Sequence, residues 1–402
     1  MDKKKHAFNT KVIHAGEPDP RIEGAVNVPI FQSSTFEFEG QTDYNALKYI
    51  RLNNTPNHIA LHKKIAAIEG GEKALVTSSG MSAITTTLLT FLKNGDHLLA
   101  NNTLYGGTAD YIKNDLPDYG IEVDFIDSAD PTSWEEKIKP NTKVVYVETI
   151  TNPLMEIGAL DKIVAFANQN NLISMIDNTL ASPALFCPVQ HGFDISLHSA
   201  TKYLNGHTDI VAGAIIGNEQ HMSMITSKLN HLGGSLDPHA CYLLHRGIKT
   251  LSIRMERQCK SALLIAKFLE NHKKVKLVNY PGLVSSSSHN RAKELLCGFG
   301  GMLSFIIEGG VEAADAFIGK LDIPISTASL GGVESLITRP VQTSHSLLSD
   351  DDSLLFKNYS QDYYPNADVM VNYLNDFKNK NDLNVLFNTN VIKINKINDI
   401  FE

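Results

Sequence analysis

The sequence predicts an α/β fold with a mostly parallel central sheet, followed by a smaller α+β region toward the C-terminus. Short apolar runs recur along the first two thirds of the chain, each separated from the next by a helix-like stretch, which is the pattern of βαβ units. After Lys249 the pattern changes to one long amphipathic helix and mixed material, so a domain boundary is expected near 250. The bulk composition allows such a body. Of 402 residues 43% are hydrophobic and 20% charged, enough for a sizeable core and too apolar for bulk disorder.

Taken in order, residues 1–57 are rich in Pro, Gly and Asn and carry little helical periodicity. Such a segment is expected to lie across the body or to reach a neighbouring subunit. Ala60–Gly70 reads as a helix stopped by Gly70-Gly71, Ala74–Thr77 as a strand, Ser78-Ser-Gly-Met-Ser82 as a capped turn and Ala83–Leu92 as an apolar helix. Asp96–Ala100, Glu122–Ile126, Lys143–Glu148, Leu172–Asp177 and Ile210–Gly217 supply further strands. A helix over about Leu251–Asn271 then leads into Val275–Tyr280 and Met302–Glu308. The expected divisions are 1–57, 58–250, 251–352 and a tail, 353–402.

Charge and cysteine usage exclude several classes of function. Thirty-six Lys+Arg against 44 Asp+Glu leave a net charge of −8, which argues against a nucleic-acid binder or a polybasic membrane-surface protein. Cys187, Cys241, Cys259 and Cys297 are far apart, with no CxxC pair, so neither a disulfide scaffold nor a zinc ribbon is expected. The start carries no apolar secretory segment, and no apolar run approaches the ~20 residues of a membrane span, so a cytoplasmic location is expected. His58 and His62 stand at i, i+4 without a third ligand, and a helix face is favoured over zinc there. No metal site is expected.

The residues that can carry chemistry gather around Ser199-Ala-Thr-Lys-Tyr203. Lys202 follows an apolar segment, Phe193–Leu197, and two hydroxyl residues; it is either an exposed lysine after a strand or a Schiff-base lysine with Ser199 and Thr201 as phosphate donors. Asp177 ends an apolar run. In a parallel sheet ligands sit outside the carboxyl ends of strands, so an acid there is either a helix cap or the partner of a cofactor's ring nitrogen. Gly80 and Met81 open a helix and offer free N–H groups suited to a phosphate. Tyr105, before two glycines, is either a surface turn or a ring that stacks on a flat cofactor.

Together these signals resemble the trans-sulfuration enzymes of cysteine and methionine metabolism: cystathionine γ-synthase, the cystathionine lyases, methionine γ-lyase and the O-acylhomoserine sulfhydrylases. The resemblance runs from about Phe8 to Ser346 and includes Thr10-Lys-Val-Ile-His-Ala-Gly16, Glu148-Thr-Ile-Thr-Asn-Pro153, His198-Ser-Ala-Thr-Lys-Tyr203, Arg254-Met-Glu256 and Ser329-Leu-Gly-Gly-Val-Glu-Ser335. It implies a pyridoxal 5'-phosphate (PLP) enzyme of fold type I, the aspartate-aminotransferase-like architecture. By position it makes Lys202 the cofactor lysine, Asp177 the pyridine-nitrogen partner and Tyr105 the stacking residue. Gly80, Met81, Ser199 and Thr201 become the phosphate set, and Asn152 a residue beside the cofactor. Tyr49 and Arg51 match the element that reaches the neighbouring subunit's phosphate, which implies at least a dimer in a family that is usually tetrameric.

Two departures bear on substrate. Gly107 stands where methionine γ-lyases often carry a cysteine. The family's late strand, whose arginine clamps the substrate carboxylate, has no counterpart, because no arginine follows Arg339. Ser329 and Arg339 are the remaining candidates for that carboxylate. The 353–402 tail is weakly similar to an internal piece of flavin-dependent monooxygenases but has no GxGxxG, so no flavin is expected to be bound by these residues alone, and whether the chain is one portion of a longer fused protein stays open. The expected activity is γ-elimination or γ-replacement on an L-homoserine ester or sulfur amino acid. The alternatives are γ-replacement with a carbon or nitrogen nucleophile, or a weakened PLP-binding module.

Overall fold

The computed structural model describes residues 6–40, 42, 44–340, 396–397 and 400–401. Residues 1–348 form one compact unit and 349–402 another. Of the second, the described part is the antiparallel pairing of Lys396–Ile397 with Ile400–Phe401, and the rest of the 353–402 tail lies outside the described residues.

The first unit is built on seven strands: β1 (Lys73–Thr77), β2 (His97–Asn101), β3 (Glu122–Ile126), β4 (Thr142–Glu148), β5 (Ile173–Asp177), β6 (Ile195–Ser199) and β7 (Gly213–Gly217), in the order β1-β7-β6-β5-β4-β2-β3. The pairs β2–β3, β2–β4, β4–β5 and β5–β6 are parallel. β7 runs antiparallel to both β1 and β6. The reason lies in the β6–β7 link, which carries Lys202 on a turn and holds no crossover helix, so the chain must return antiparallel. The apolar run from Ile210 therefore becomes a strand only from Gly213.

Helices cover both faces, as the apolar strands require. Val144, Val145, Tyr146 and Val147 of β4 are all fully buried. One apolar cluster joins Val145, Val147 and Ile176 to Leu61 and Ile65 of helix α2 (Pro56–Glu69). The other joins Val144, Tyr146, Met175 and Leu197 to Ile84 and Leu88 of helix α3 (Gly80–Phe91).

The first 57 residues hold a helix where the sequence shows little helical periodicity. This is α1 (Phe8–His14), whose Val12 is buried, and the α2 residue Lys64 donates to Val12 O and Ile13 O at 3.1 and 2.9 Å. Further along, Phe31 N donates to Asn57 Oδ1 at 2.8 Å, and Leu52 is buried. The segment thus lies across its own body. Seven residues make too few turns for periodicity to register in the sequence.

Helix α4 (Leu251–Glu270) opens the later part, where β8 (Val275–Asn279) pairs antiparallel with β9 (Ser304–Ile307) over a small core of Ala262, Ala266, Val278, Tyr280 and Leu283. His58 Nε2 bonds Leu236 O and its Nδ1 bonds Thr55 Oγ1, both at 2.7 Å, and His62 Nε2 accepts from Val76 N at 3.1 Å. Both imidazoles are structural. Among the described residues no cluster of His, Cys, Asp and Glu could hold a metal ion, and no helix is long and apolar enough to cross a membrane. The four cysteines are free, and burial pushes the Cys241 thiol well up.

Candidate active site

Because β2, β4, β5 and β6 are parallel, their carboxyl ends share one edge, where an α/β sheet binds ligands. Asp177 is the last residue of β5 and Ser199 the last of β6, adjacent in the sheet. Three residues past Ser199, the turn presents Lys202, whose Nζ donates to Ser329 Oγ at 2.9 Å. Half-burial lowers the lysine's pKa, which favours the neutral amine. Ser329 holds φ at +108°, a costly value for a non-glycine residue, and this backbone brings its hydroxyl to the lysine.

Burial raises the Asp177 pKa; hydrogen bonds from Thr179 and the charge of His198 act against it. Thr179 ties the two strand ends together. Its N–H donates to Asp177 Oδ1 at 2.9 Å, and its hydroxyl accepts from Ser199 N at 2.7 Å.

The start of α3 abuts the same turn. A Cβ on Gly80 would fall 2.8 Å from Ser199 Cβ and 3.0 Å from its Oγ, so only glycine allows this approach. The Ser79 hydroxyl caps Ser82 N at 3.0 Å, leaving the N–H groups of Gly80 and Met81 as the free donors of a helix start. Thr201 is turned elsewhere: its hydroxyl donates to Ala212 O at 3.2 Å and accepts from Ala212 N at 3.0 Å. It can serve a phosphate only by exchanging the first of these bonds.

Tyr105 is 42% exposed, and its N–H donates to Glu148 Oε1 at 2.7 Å. A Cβ at Gly107 would lie 2.8 Å from the Tyr105 ring, so a side chain there would move the ring. Asn152 is half-buried. Arg51 donates to Asn230 O at 2.7 Å and to the Tyr44 hydroxyl, and lies 5.7 Å from the Tyr49 ring centre. Arg339 is ion-paired through Nε with the half-exposed Asp315 at 2.9 Å.

Sequence reasoning passed over three further residues: Thr179, Glu148 and Arg254. Glu148 lies in register with Asp177, and Arg254 donates to Tyr203 O at 2.8 Å. Their residue types gave no signal. Glu148 and Arg254 stood within quoted motifs, and Thr179 did not.

The donor set fits PLP: an amine biased toward neutrality, a carboxylate at the adjacent strand end, and hydroxyl and N–H donors packed at a helix start with room for no Cβ. Fold and site thus define a PLP enzyme of fold type I. The chain belongs to the Cys/Met metabolism PLP-dependent enzymes, whose family model matches residues 9–354. It is 42% identical over 316 residues to a probable cystathionine gamma-synthase of Herpetosiphon aurantiacus, covering 78% of this chain and 98% of that one. It is 40% identical to an L-methionine gamma-lyase of Fusobacterium nucleatum subsp. polymorphum, over 86% of this chain and 90% of the other. Cystathionine gamma-lyase from Lactobacillus plantarum, solved with L-serine, superposes with a TM-score of 0.83 at 34% identity, covering 87% and 91% of the two chains.

Proposed function

We propose that this PLP-dependent enzyme removes or replaces the γ-substituent of an L-homoserine ester or sulfur amino acid, with Lys202 as its proton-moving residue. The observation that carries the reading is the Lys202 amine, biased toward neutrality and held 2.9 Å from Ser329 Oγ at the strand edge where Asp177 ends. Relatives named as cystathionine gamma-synthase and methionine gamma-lyase, and a similar structure holding L-serine, support an amino-acid substrate.

Bound PLP supplies an electron sink for the pair left when Cα loses its proton. Lys202 takes that proton as a free amine and returns it further along the substrate, and Ser329 orients the amine between the two positions. Asp177 holds a proton on the ring nitrogen through its carboxylate. The Gly80 and Met81 N–H groups and the Ser199 hydroxyl hold the phosphate, and Thr201 joins them after releasing Ala212 O. Tyr105 would cover the ring, and Asn152 would stand beside it. Ser329 and Arg339, the latter with its Nε on Asp315, stay the candidates for the substrate carboxylate.

The active unit in this reading is at least a dimer, in the family's usual tetramer, with Tyr49 and Arg51 completing a neighbour's phosphate site. A cytoplasmic location is part of the reading, supported by the four free thiols.

The test is product analysis of the purified protein with PLP and O-acetyl-L-homoserine, with and without a thiol. Elimination yields ammonia and an α-keto acid; replacement yields a thioether only when thiol is present. Absence of product from every homoserine ester and homocysteine thioether would favour the second reading, a catalytically weakened PLP-binding module, for which the pairing of Arg339 with Asp315 is the supporting observation.

A further inference from the structure

We infer that Glu148 is a positioning residue of this site: it carries the proton that it and Asp177 share and anchors the Tyr105 backbone, so that Asp177 keeps the pair's single negative charge. The inference rests on the roles proposed above for Asp177 and Tyr105.

Glu148 is the last residue of β4, as Asp177 is of β5, and the two are direct partners in the parallel register. Partners in register project to the same side of a sheet from strands about 4.8 Å apart. Glu148 is only 4% exposed. Its Oε1 accepts the Tyr105 N–H at 2.7 Å, and among the described residues it forms no ion pair with a lysine, arginine or histidine.

The groups that face Glu148 are all neutral or negative. Asp177 comes from β5, Tyr105 offers its N–H from the loop after β2, and Tyr146 stands two residues back on β4 with its buried hydroxyl beside Thr108. Asp177 is better provided for: it accepts the Thr179 N–H at 2.9 Å and feels the charge of His198 on β6. Two carboxyls on neighbouring strand ends, Glu148 buried and Asp177 half-buried, do not both ionise readily, and the charge settles where donors and positive potential are greater. That is Asp177. Burial first and the Asp177 charge second push the Glu148 carboxyl well above the usual range, in the same direction as the geometry.

Tyr105 can stack only where its backbone is held, and the 2.7 Å bond to Glu148 fixes the residue from which the ring projects. Glu148 thereby couples the ring-covering loop to the strand end that carries Asp177.

A glutamine at this position keeps both features assigned to Glu148, an acceptor for Tyr105 N–H and no charge. An alanine keeps neither. In the full-length holoenzyme, Glu148→Gln should hold PLP affinity within about threefold of wild type with an unchanged pH profile, while Glu148→Ala should lose about tenfold or more in affinity, the scale of one lost charge-neutral anchor. The direct readout is the infrared difference spectrum of wild type minus Glu148→Gln, with and without PLP, at neutral pH. It should show the carbonyl band of a protonated carboxylic acid. A carboxylate band instead, or a Gln variant as impaired as the Ala variant, would overturn the inference. The infrared band does not depend on turnover, so it stands or falls separately from the proposed γ-chemistry.

Discussion

Replacing Arg254 with leucine tests whether the lysine turn is held from outside itself. Arg254 lies on α4 with 8% of its surface exposed. Its Nη1 donates to Tyr203 O at 2.8 Å, and its Nη2 to Gly247 O at 3.0 Å and Leu204 O at 3.4 Å; Nε donates to Thr250 Oγ1 at 2.9 Å. A Cβ at Gly206, whose φ is +73°, would lie 2.1 Å from the guanidinium, so the turn is shaped around the arginine. Leucine strands two carbonyls, Tyr203 O and Leu204 O; Gly247 O keeps the Thr250 N–H and hydroxyl at 3.1 and 3.0 Å. Each buried acceptor left unpaired costs about 1–3 kcal/mol. Burial lowers the Arg254 pKa to about 10, a sign of a desolvation cost that the leucine would not carry and that offsets part of the loss. The expected net destabilisation is about 3 kcal/mol, read as a shift of the urea midpoint of the holoenzyme. Lysine should not fully rescue it, because one ammonium nitrogen cannot stand at the three positions from which Nε, Nη1 and Nη2 reach Thr250 Oγ1, Tyr203 O and Gly247 O. A leucine variant within about 0.5 kcal/mol of wild type, or full rescue by lysine, would refute this account.

Three further outcomes are expected. Lys202→Ala should abolish both turnover and the visible absorbance of the lysine-linked cofactor; retention of either places the linkage elsewhere. Mixing Arg51→Ala with Lys202→Ala chains should restore part of the activity if the two residues meet across an interface, and confirmed chain exchange without recovery would exclude a shared site. His58 is fully buried and its pKa is lowered to about 4, mainly by desolvation. Between pH 6.5 and about 4 the unfolded chain binds a proton that the folded chain does not, so stability falls as pH drops through that window, by about 3 kcal/mol in all. A denaturation series from pH 7 to 4 should show that slope, and His58→Gln should reduce it; an equal slope in the variant would assign the acid sensitivity to other groups.

Most of the sheet was legible because its signals are local. Glu122–Ile126 is a strand with the bounds its apolar run implies, and Gly70 ends α2 where the Gly-Gly pair stops the helical pattern. The placement of Asp177 at a strand end and of Lys202 on the turn just past one was legible for the same reason, because one apolar run ends in Asp177 and another stops shortly before Lys202. The fold class followed from the alternation of such runs.

The rest depended on distances along the chain that no local pattern encodes. Lys202 meets Ser329 across 127 residues, and Arg254 reaches Tyr203 across 51. Glu148 faces Asp177 only because β4 and β5 pair in one particular register; a shift by one residue would turn the carboxyl to the other face. Thr201 sat beside the lysine in sequence, yet the antiparallel return of β7 gave its hydroxyl to Ala212. Residue type and spacing determined that a lysine, a carboxylate and a helix start exist at strand ends. Only tertiary packing decided which hydroxyl holds the amine, which carboxyl keeps its proton and which acid Arg339 meets, because hydrogen-bond partners and burial are properties of the assembled edge and not of any segment that builds it.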